Sequence, residues 1–197
     1  MDGEDQRTLW DLKYRQGLPS LTRPDPFFVS AYERFVEPSF PTAGLALDLA
    51  GGLGRHALWL ATRKWRVSAV DLSEVAIGKL RQAAGQLNVD ICLFAQDAAE
   101  FNFEAARFDL ILLFYHLDRS LFPKIVAALS PGGLFVCKMA VRWGTEIGLA
   151  TAADNPLCQN ELASLVSDLD VVDHRIRPVR ARGVVEFVGR KRRLSGP

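Results

Sequence analysis

A glycine-rich turn between apolar segments constrains this chain more than any other feature. Leu45–Leu49 predicts a buried strand, and apolar side chains recur at helical spacing from Ala57 onwards. Arg66–Val70 predicts a second strand, which leads into the acid Asp71. The turn holds three glycines: Gly51, Gly52 and Gly54. Glycines let the backbone approach a bulky ligand closely, and a carboxylate about twenty residues later suits the two hydroxyls of a ribose. The stretch Ala46–Ser73 therefore predicts a nucleoside-binding βαβ unit.

The turn alone does not decide which nucleoside binds. Gly52, Gly54 and Ala57 satisfy the loose G-x-G-x-x-G/A pattern of dinucleotide sites, in which a pyrophosphate lies at a helix amino terminus. Asp48 lies on the same turn, and its charge would repel a pyrophosphate but attract an ammonium group. The charge argument therefore favours a ligand with a positive group, and NAD or NADP stays open as the alternative.

The octapeptide from Asp48 to Arg55, Asp-Leu-Ala-Gly-Gly-Leu-Gly-Arg, resembles the first motif of class I methyltransferases, which use S-adenosylmethionine. In that family the acid and the glycines hold the methionine part of the cofactor, and a second acid, here Asp71, holds the ribose. Ala50 replaces the first glycine of the fullest family pattern, a substitution that the family accepts. The resemblance implies S-adenosyl-L-methionine as the cofactor. It assigns cofactor contacts to Trp10, Tyr14, Asp48, Ala50, Gly51, Gly52, Gly54, Arg55, Asp71, Leu72, Asp97, Ala98 and Phe114.

The amino-terminal segment 1–40 adds to the resemblance. Residues 4–16 predict a helix that Gly17 closes, and Trp10 and Tyr14 share one face because they are four residues apart. Small methyltransferases of the tellurite-resistance and thiopurine types begin with a similar Trp-x-x-x-Tyr. Two interpretations of the helix stay open: an aromatic lid over the cofactor and its sulfonium, or simple packing on the domain.

Polar residues follow two further predicted strands. Asp97 and Ala98 come directly after the third strand, and the resemblance implies that they bind the adenine amino group. The apolar run that begins at Phe108 predicts a fourth strand, buried on both faces. This strand delivers Tyr115 and His116 to the edge where open α/β sheets bind ligands.

Methyl transfer from a sulfonium is an in-line displacement, so the protein mainly orients the nucleophile and excludes water. A base is needed only when the acceptor atom carries a proton at neutral pH. His116 is the candidate base, since an unperturbed imidazole titrates near neutrality, and Tyr115 is a candidate for the acceptor pocket. A structural hydrogen bond to a loop carbonyl is the alternative role for His116. His56 is expected either to touch the cofactor or to face solvent. No residue spacing indicates a metal site.

The order of elements predicts an α/β fold, namely a three-layer Rossmann-like sandwich. Its sheet is expected to be seven-stranded and mostly parallel, with an antiparallel last strand and helices on both faces. We expect one methyltransferase domain over 1–197, with a candidate substrate loop at 142–156 and a basic tail at 190–197. The remaining predicted segments are helices at 27–37, from 73 and at 121–129, a strand at 134–141, a helix near 162–166, and strands near 170–178 and 183–189.

Composition limits the partners. The formal net charge of +1 gives no global attraction to nucleic acid or acidic membranes, and the basic residues near the end lack interleaved aromatics for base stacking. No apolar run approaches the ~18 residues of a membrane span, and the first residues do not resemble a signal peptide. Cys92 and Cys137 lie in apolar strand candidates and are expected to be buried, reduced thiols; Cys158 is separate.

These observations predict a cytoplasmic S-adenosylmethionine-dependent methyltransferase that acts on a small-molecule acceptor. No membrane partner is expected, nucleic acid is disfavoured, and the oligomeric state is left open. The alternatives are an NAD(P)-binding oxidoreductase and a non-catalytic nucleoside-binding protein.

Overall fold

The computed structural model describes residues 3–17, 21–142, 156–158, 160–179 and 182–193. Its helices are α1 (Gly3–Arg15), α2 (Pro26–Ala31), a π-helical turn (Tyr32–Val36), α3 (Glu37–Ser39), α4 (Arg55–Ala61), α5 (Glu74–Leu87), a 3-10 turn (Ala98–Glu100), α6 (Leu121–Ala128) and α7 (Glu161–Leu165). Its strands are β1 (Leu45–Leu49), β2 (Arg66–Asp71), β3 (Ile91–Ala95), β4 (Phe108–Phe114), β5 (Leu129–Val141), β6 (Leu169–Val179) and β7 (Arg182–Lys191).

The seven strands form one sheet in the order β3-β2-β1-β4-β5-β7-β6. The first five are parallel, whereas β7 pairs antiparallel with both β5 and β6. The strand order reverses between β1 and β4, and open α/β sheets bind ligands at such a switch point, beyond the carboxyl ends of the strands. The predicted fold class is confirmed.

Two apolar layers sandwich the sheet. On one face, Phe28 of α2 and Leu60 of α4 are fully buried against β1, β2 and β4. On the other face, Phe122 and Ile125 of α6 are fully buried against β4 and β5. Burial of one such large apolar side chain contributes roughly 1.5–3 kcal/mol, so these layers hold the strand ends in fixed positions.

The helix predicted at 27–37 is longer and less regular than its periodicity indicates. Three helical segments follow one another without a break from Pro26 to Ser39, and the middle one is a π-helical turn. Pro38, expected after the helix end, lies inside α3. Its ring nitrogen cannot donate a hydrogen bond, and Glu37 N–H instead bonds to Tyr32 O in the wider π geometry.

Three other expectations need correction or lie outside the described chain. Cys137 is buried as predicted, but Cys92 is exposed, because β3 is an edge strand. The predicted basic tail begins too early, since Arg190 and Lys191 belong to β7. Of the candidate substrate loop at 142–156, residues 143–155 lie outside the described residues. Among the helices that are described, none combines the length and apolar character needed to cross a membrane.

Candidate functional site

A cavity of about 270 Å³ opens beyond the carboxyl ends of β1, β2, β3 and β4. All but one of the predicted site residues line it. The lining consists of Gln6, Trp10, Tyr14, Leu21, Asp48, Ala50, Gly51, Gly52, Leu53, Arg55, His56, Asp71, Leu72, Asp97, Ala98, Phe114, Tyr115 and His116.

The exception is Gly54. It caps α4 in the left-handed region, with a φ of 72°, and a Cβ there would lie 2.3 Å from Leu80 Cδ1. Gly54 therefore allows α4 to pack closely against α5, and it does not form part of the cavity wall.

The loop after β1 is shaped for close approach. Gly52 has a φ of 58°, and a Cβ at this position would lie 2.6 Å from Tyr14 Oη. Gly51 N–H donates to Val70 O at 3.2 Å, which ties the loop to β2. Ala50 adopts a φ of 50° although it is not glycine. The loop thus presents bare backbone to the cavity, with the Tyr14 hydroxyl beside it.

Asp71 at the end of β2 braces the loop. Its Oδ2 accepts a hydrogen bond from Gly52 N–H at 2.8 Å, and its Oδ1 accepts one from Ser73 N–H at 2.9 Å. Burial raises the pKa of the Asp71 carboxyl, while these two donors and the neighbouring His116 oppose the rise. Each oxygen keeps a further lone pair, so Asp71 can still accept hydrogen bonds from ligand hydroxyls.

Asp48 at the end of β1 is only 1% exposed. Its Oδ2 accepts a hydrogen bond from Ala57 N–H, at 3.2 Å, in the first turn of α4. Burial raises its pKa to about 7, although this hydrogen bond and nearby Arg55 oppose the rise. The Asp48 carboxyl group therefore already accepts the hydrogen bond of the α4 N–H that a pyrophosphate would use. This disfavours the binding of an anion and favours a ligand with a cationic group.

Asp97 lies beyond the end of β3 and caps the 3-10 turn. Its Oδ1 accepts a hydrogen bond from Ala99 N–H at 2.8 Å. The second carboxylate oxygen is not used by this cap, so it can accept a hydrogen bond from an amino group of a ligand.

Helix α1 forms the outer wall of the cavity. Trp10 and Tyr14 stack at 5.8 Å, and Tyr14 is buried whereas Trp10 is 38% exposed. Asp11 accepts hydrogen bonds from the Ser73 hydroxyl and from Val75 N–H, so α1 is attached to the start of α5. The pair Trp10 and Tyr14 thus lines the cavity and also packs on the domain, and both interpretations of this helix have structural support.

A buried cluster of charges lies behind Tyr115, and no sequence pattern indicated it. Tyr115 Oη donates to Asp25 Oδ2 at 3.0 Å. Lys138 Nζ contacts both Asp25 oxygens at 2.9 and 3.2 Å and Glu186 Oε1 at 3.0 Å. Burial by itself would raise the pKa of the Asp25 carboxyl, but Lys138, together with the hydrogen bonds from Phe27 N–H and the Tyr115 hydroxyl, lowers it overall.

His56 does not face solvent, which was one of its two expected roles, and instead lines the cavity. It is 2% exposed, its Nε2 accepts a hydrogen bond from Asp25 N–H at 3.2 Å, and its ring lies 4.3 Å from that of Phe114. The Asp-Pro-Phe sequence at 25–27 is typical of a helix start and indicates Asp25 as a cap. In the structure Asp25 does cap α2, because its Oδ1 accepts a hydrogen bond from Phe27 N–H. No local signal points to its ion pair with a residue 113 positions away.

Asp48, Asp71 and Asp97 lie at or just beyond the ends of successive strands along one edge of the sheet, and the part of the sequence that contains them matches a known family. Residues 46–133, from β1 to the start of β5, match the family described as "Methyltransferase domain". Residues 46–133 therefore carry a methyltransferase domain. The predictions of a methyltransferase, of an enzyme and of S-adenosylmethionine as its cofactor are thereby confirmed. No curated protein matches the sequence significantly.

Several solved structures share the methyltransferase fold. TehB from Haemophilus influenzae superposes with a TM-score of 0.72 at 18% identity, over 91% of this chain and 66% of that chain. The Burkholderia thailandensis 1,6-didemethyltoxoflavin-N1-methyltransferase gives a TM-score of 0.70 at 22% identity, over 95% and 87%. The geranyl diphosphate C-methyltransferase of Streptomyces coelicolor gives a TM-score of 0.72 at 15% identity, over 96% of this chain and 97% of that chain.

Proposed function

We propose that this methyltransferase acts on a small-molecule acceptor, which binds beside the end of β4. The observation that carries the proposal is the placement of two buried carboxylates, Asp48 and Asp71, on either side of one glycine loop. These two hydrogen-bond acceptors fit an adenosine joined to an amino acid. They leave the part of the cavity next to Tyr115 for a second, small ligand.

The chain's own residues divide the cofactor between successive strand ends. Asp97 after β3 is suited to the adenine amino group, Asp71 after β2 to the ribose hydroxyls, and Asp48 after β1 to the ammonium group. The bare backbone at Gly51 and Gly52 allows the ligand to lie against the loop. When bound, S-adenosylmethionine supplies an electrophilic methyl group on a sulfonium.

The acceptor side follows from the sheet order. β1 lies between β2 and β4, so a ligand that extends from Asp97 past Asp71 to Asp48 points its other end towards β4. Tyr115, directly after β4, belongs to that side. His116 lines the same cavity and lies close enough to Asp71 to lower the pKa of that carboxyl, which favours a position beside the proposed ribose contact. A role for His116 as a base and for Tyr115 in the acceptor pocket remains our proposal.

A small acceptor is supported by the cover of the cavity. Trp10 and Tyr14 of α1 line the cavity and form a wall over it. Two proteins of similar fold carry small acceptors in their names, 1,6-didemethyltoxoflavin and geranyl diphosphate. We also propose that segment 1–40 acts as a lid on a single domain.

A cytoplasmic location belongs to the same proposal. It is supported by the free thiols of Cys92, Cys137 and Cys158, because a reducing compartment keeps cysteines in this state.

Isothermal titration calorimetry with S-adenosylhomocysteine and with NADH tests the cofactor assignment of the site. We expect binding of S-adenosylhomocysteine by the wild-type protein and none of NADH. Asp71→Ala should weaken that binding at least tenfold, because it removes both the ribose acceptor and the brace of the loop. Asp170→Asn, an exposed change far from the cavity, is the matched control. Binding of NADH without S-adenosylhomocysteine would overturn the assignment.

Transfer of a labelled methyl group over pools of small metabolites tests turnover. We expect at least one labelled product, which Asp71→Ala should reduce in proportion to its loss of cofactor affinity. Firm cofactor binding with no labelled product from any pool would favour the alternative of a non-catalytic nucleoside-binding protein.

A further inference from the structure

Asp25 holds two polar groups of the cavity wall in place from behind. Its Oδ2 accepts the hydrogen bond from Tyr115 Oη, and its backbone N–H donates to His56 Nε2. Tyr115 and His56 both line the cavity, whereas Asp25 is 4% exposed and lies behind them. One buried residue therefore determines how both groups face a ligand.

The hydrogen bond from Asp25 N–H fixes the tautomer of His56. Since Nε2 accepts a hydrogen bond, the neutral ring must carry its proton on Nδ1. Burial, assisted by Arg55, lowers the pKa of His56 to about 3, so the ring stays neutral at pH 7. Among the described residues, none accepts a hydrogen bond from Nδ1–H of His56. Every inaccessible side-chain nitrogen or oxygen of the described residues has a hydrogen-bond partner, so Nδ1 must be accessible. Nδ1–H therefore reaches the cavity as a free donor.

Tyr115 presents the opposite polarity. Its hydroxyl proton is directed to Asp25, so the phenol oxygen keeps a lone pair for the cavity. Burial and the charge of Asp25 raise the pKa of Tyr115, with Lys138 opposing, and the phenol stays neutral. The backbone of Tyr115 adopts a φ of 59°, which costs about 1–2 kcal/mol for a residue with a Cβ. Such strain beside a cavity is typical of functional positions.

Asp25 cannot turn away from this arrangement. Lys138 Nζ lies within hydrogen-bond distance of both of its oxygens, and Oδ1 also accepts from Phe27 N–H at 2.9 Å. Lys138 is in turn held by Glu186. The carboxylate is thereby fixed in charge and in orientation, as a group that positions others must be.

We propose that His56 Nδ1–H and Tyr115 Oη form a donor–acceptor pair that binds the methyl acceptor, and that Asp25 positions both. The inference rests on the proposed function, which places the acceptor beside the end of β4. Such a pair recognises a neutral N–H or O–H next to a carbonyl oxygen or ring nitrogen, as in a lactam or a cyclic imide. The N–H or O–H donates to Tyr115 Oη, and the carbonyl oxygen or ring nitrogen accepts from His56.

Two probe molecules that differ in one donor test the pair. 2-Pyridone carries an adjacent N–H and carbonyl, whereas 1-methyl-2-pyridone keeps only the carbonyl. Their dissociation constants for the protein saturated with S-adenosylhomocysteine are measured by ligand-observed NMR. We expect wild-type protein to prefer 2-pyridone by about three- to tenfold, the value of one neutral hydrogen bond.

Variants of the two wall residues separate their contributions. Tyr115→Phe should abolish the preference for 2-pyridone while the phenyl ring remains. His56→Leu should weaken the binding of both pyridones by a similar factor, because both probes carry the carbonyl. The preference for 2-pyridone over 1-methyl-2-pyridone should therefore be unchanged. Equal binding of the two probes to the wild-type protein, or a preference that survives Tyr115→Phe, would overturn the inference.

A spectroscopic signature tests the role of Asp25. The chain has three tyrosines, so ¹³Cζ labelling resolves each phenol, and Tyr115→Phe assigns the Tyr115 resonance by its loss. In Asp25→Asn, which retains a cap for α2, Tyr115 should titrate at lower pH and the preference for 2-pyridone should fall. Asp170→Asn should leave both unchanged. Asp25→Ser, which also caps, repeats the measurement should the amide variant not fold. An unaltered Tyr115 titration refutes the positioning role.

Failure of this inference is distinguishable from failure of the proposed function. Binding of S-adenosylhomocysteine, measured in every variant before the pyridones are added, reports on the cofactor site alone. A protein that binds the cofactor product but does not distinguish the two pyridones keeps the proposed function and loses the donor–acceptor pair.

Discussion

The carboxyl group of Asp48 couples cofactor binding to pH. Its pKa of about 7 means that a proton must leave the buried group before it can pair with an ammonium. We therefore expect the affinity for S-adenosylhomocysteine to rise with pH, by up to about tenfold per unit below pH 7, and to level off above it. Calorimetry between pH 5.5 and 8 measures this slope. In Asp48→Asn the affinity should be lower and the slope absent; an equal slope in that variant would assign it to another group.

The same carboxyl group affects stability with the opposite sign. Because its folded-state pKa is raised above the ordinary value of 3.8, the folded protein binds more protons than the unfolded chain between those two values. Its contribution to stability is fully present below pH 3.8 and is lost as the pH rises through about 7. Asp48→Asn mimics the protonated form. The free energy of unfolding in urea, taken as the variant value minus the wild-type value, should therefore increase between pH 5 and pH 8. A constant difference would contradict the raised pKa.

Ala50 carries backbone strain that glycine would relieve. Its φ of 50° lies in the left-handed region, where a Cβ is unfavourable. Ala50→Gly should stabilise the protein by about 0.5–1 kcal/mol, measured as a rise in the urea midpoint. The control is Ala83→Gly within α5, which should lose about 1 kcal/mol. Destabilisation by Ala50→Gly would show that the loop gains more from the rigidity of alanine than it loses to strain.

At the scale of elements, the attachment of α1 is narrow. Only Tyr14 of this helix is buried, and Asp11 supplies two of the hydrogen bonds that hold it to the start of α5. Asp11→Ala should therefore speed amide hydrogen exchange throughout α1 and weaken S-adenosylhomocysteine binding, while overall stability falls by only about 1 kcal/mol. Glu4→Ala, in the exposed first turn, should change neither. Unchanged exchange in α1 would place its attachment elsewhere.

Elements whose side chains follow a clear period were predictable from the sequence. β1 is found at the predicted residues, Leu45–Leu49, and the helix predicted from residue 73 is α5, where the Ser73 side chain accepts a hydrogen bond from Ala76 N–H. The π-helical turn before Pro38 was not predictable, because its apolar residues are equally compatible with a regular helix. The exposure of Cys92 was missed for a related reason: composition marks a strand as apolar but does not say that it lies at the sheet edge.

At the scale of the whole molecule, the candidate site divides into a local and a non-local part. The cofactor half follows from one βαβ unit, in which Asp48 and Asp71 lie 23 residues apart, so its spacing can be read from the sequence. The acceptor half joins Asp25, His56 and Tyr115, with Lys138 behind them. These residues come from four separate segments, and no period or motif relates them. Only the three-dimensional fold brings them together.

Lys138 connects two segments that lie far apart in the sequence, one before α2 and the other on β7. It lies on β5 between Asp25, from the segment before α2, and Glu186 on β7. All three residues are less than 9% exposed, so each charge depends on its partners for compensation. Lys138→Met would remove the nearest cation of Asp25, whose other cation, Arg55, lies 3.9 Å away, and would leave Glu186 paired with Arg177. Removal of one partner from a buried ion pair costs about 3–5 kcal/mol.

We therefore expect Lys138→Met to lower the free energy of unfolding by about 3–5 kcal/mol, measured by urea denaturation at pH 7. The triple variant Asp25→Asn, Lys138→Met, Glu186→Gln should recover part of that loss, because it removes the buried charges together. Its Tyr115 would still lose the fixed carboxylate behind it, so the preference for 2-pyridone should not return with stability. A triple variant less stable than Lys138→Met would mean that packing around Lys138, and not the balance of charge, holds these three segments together.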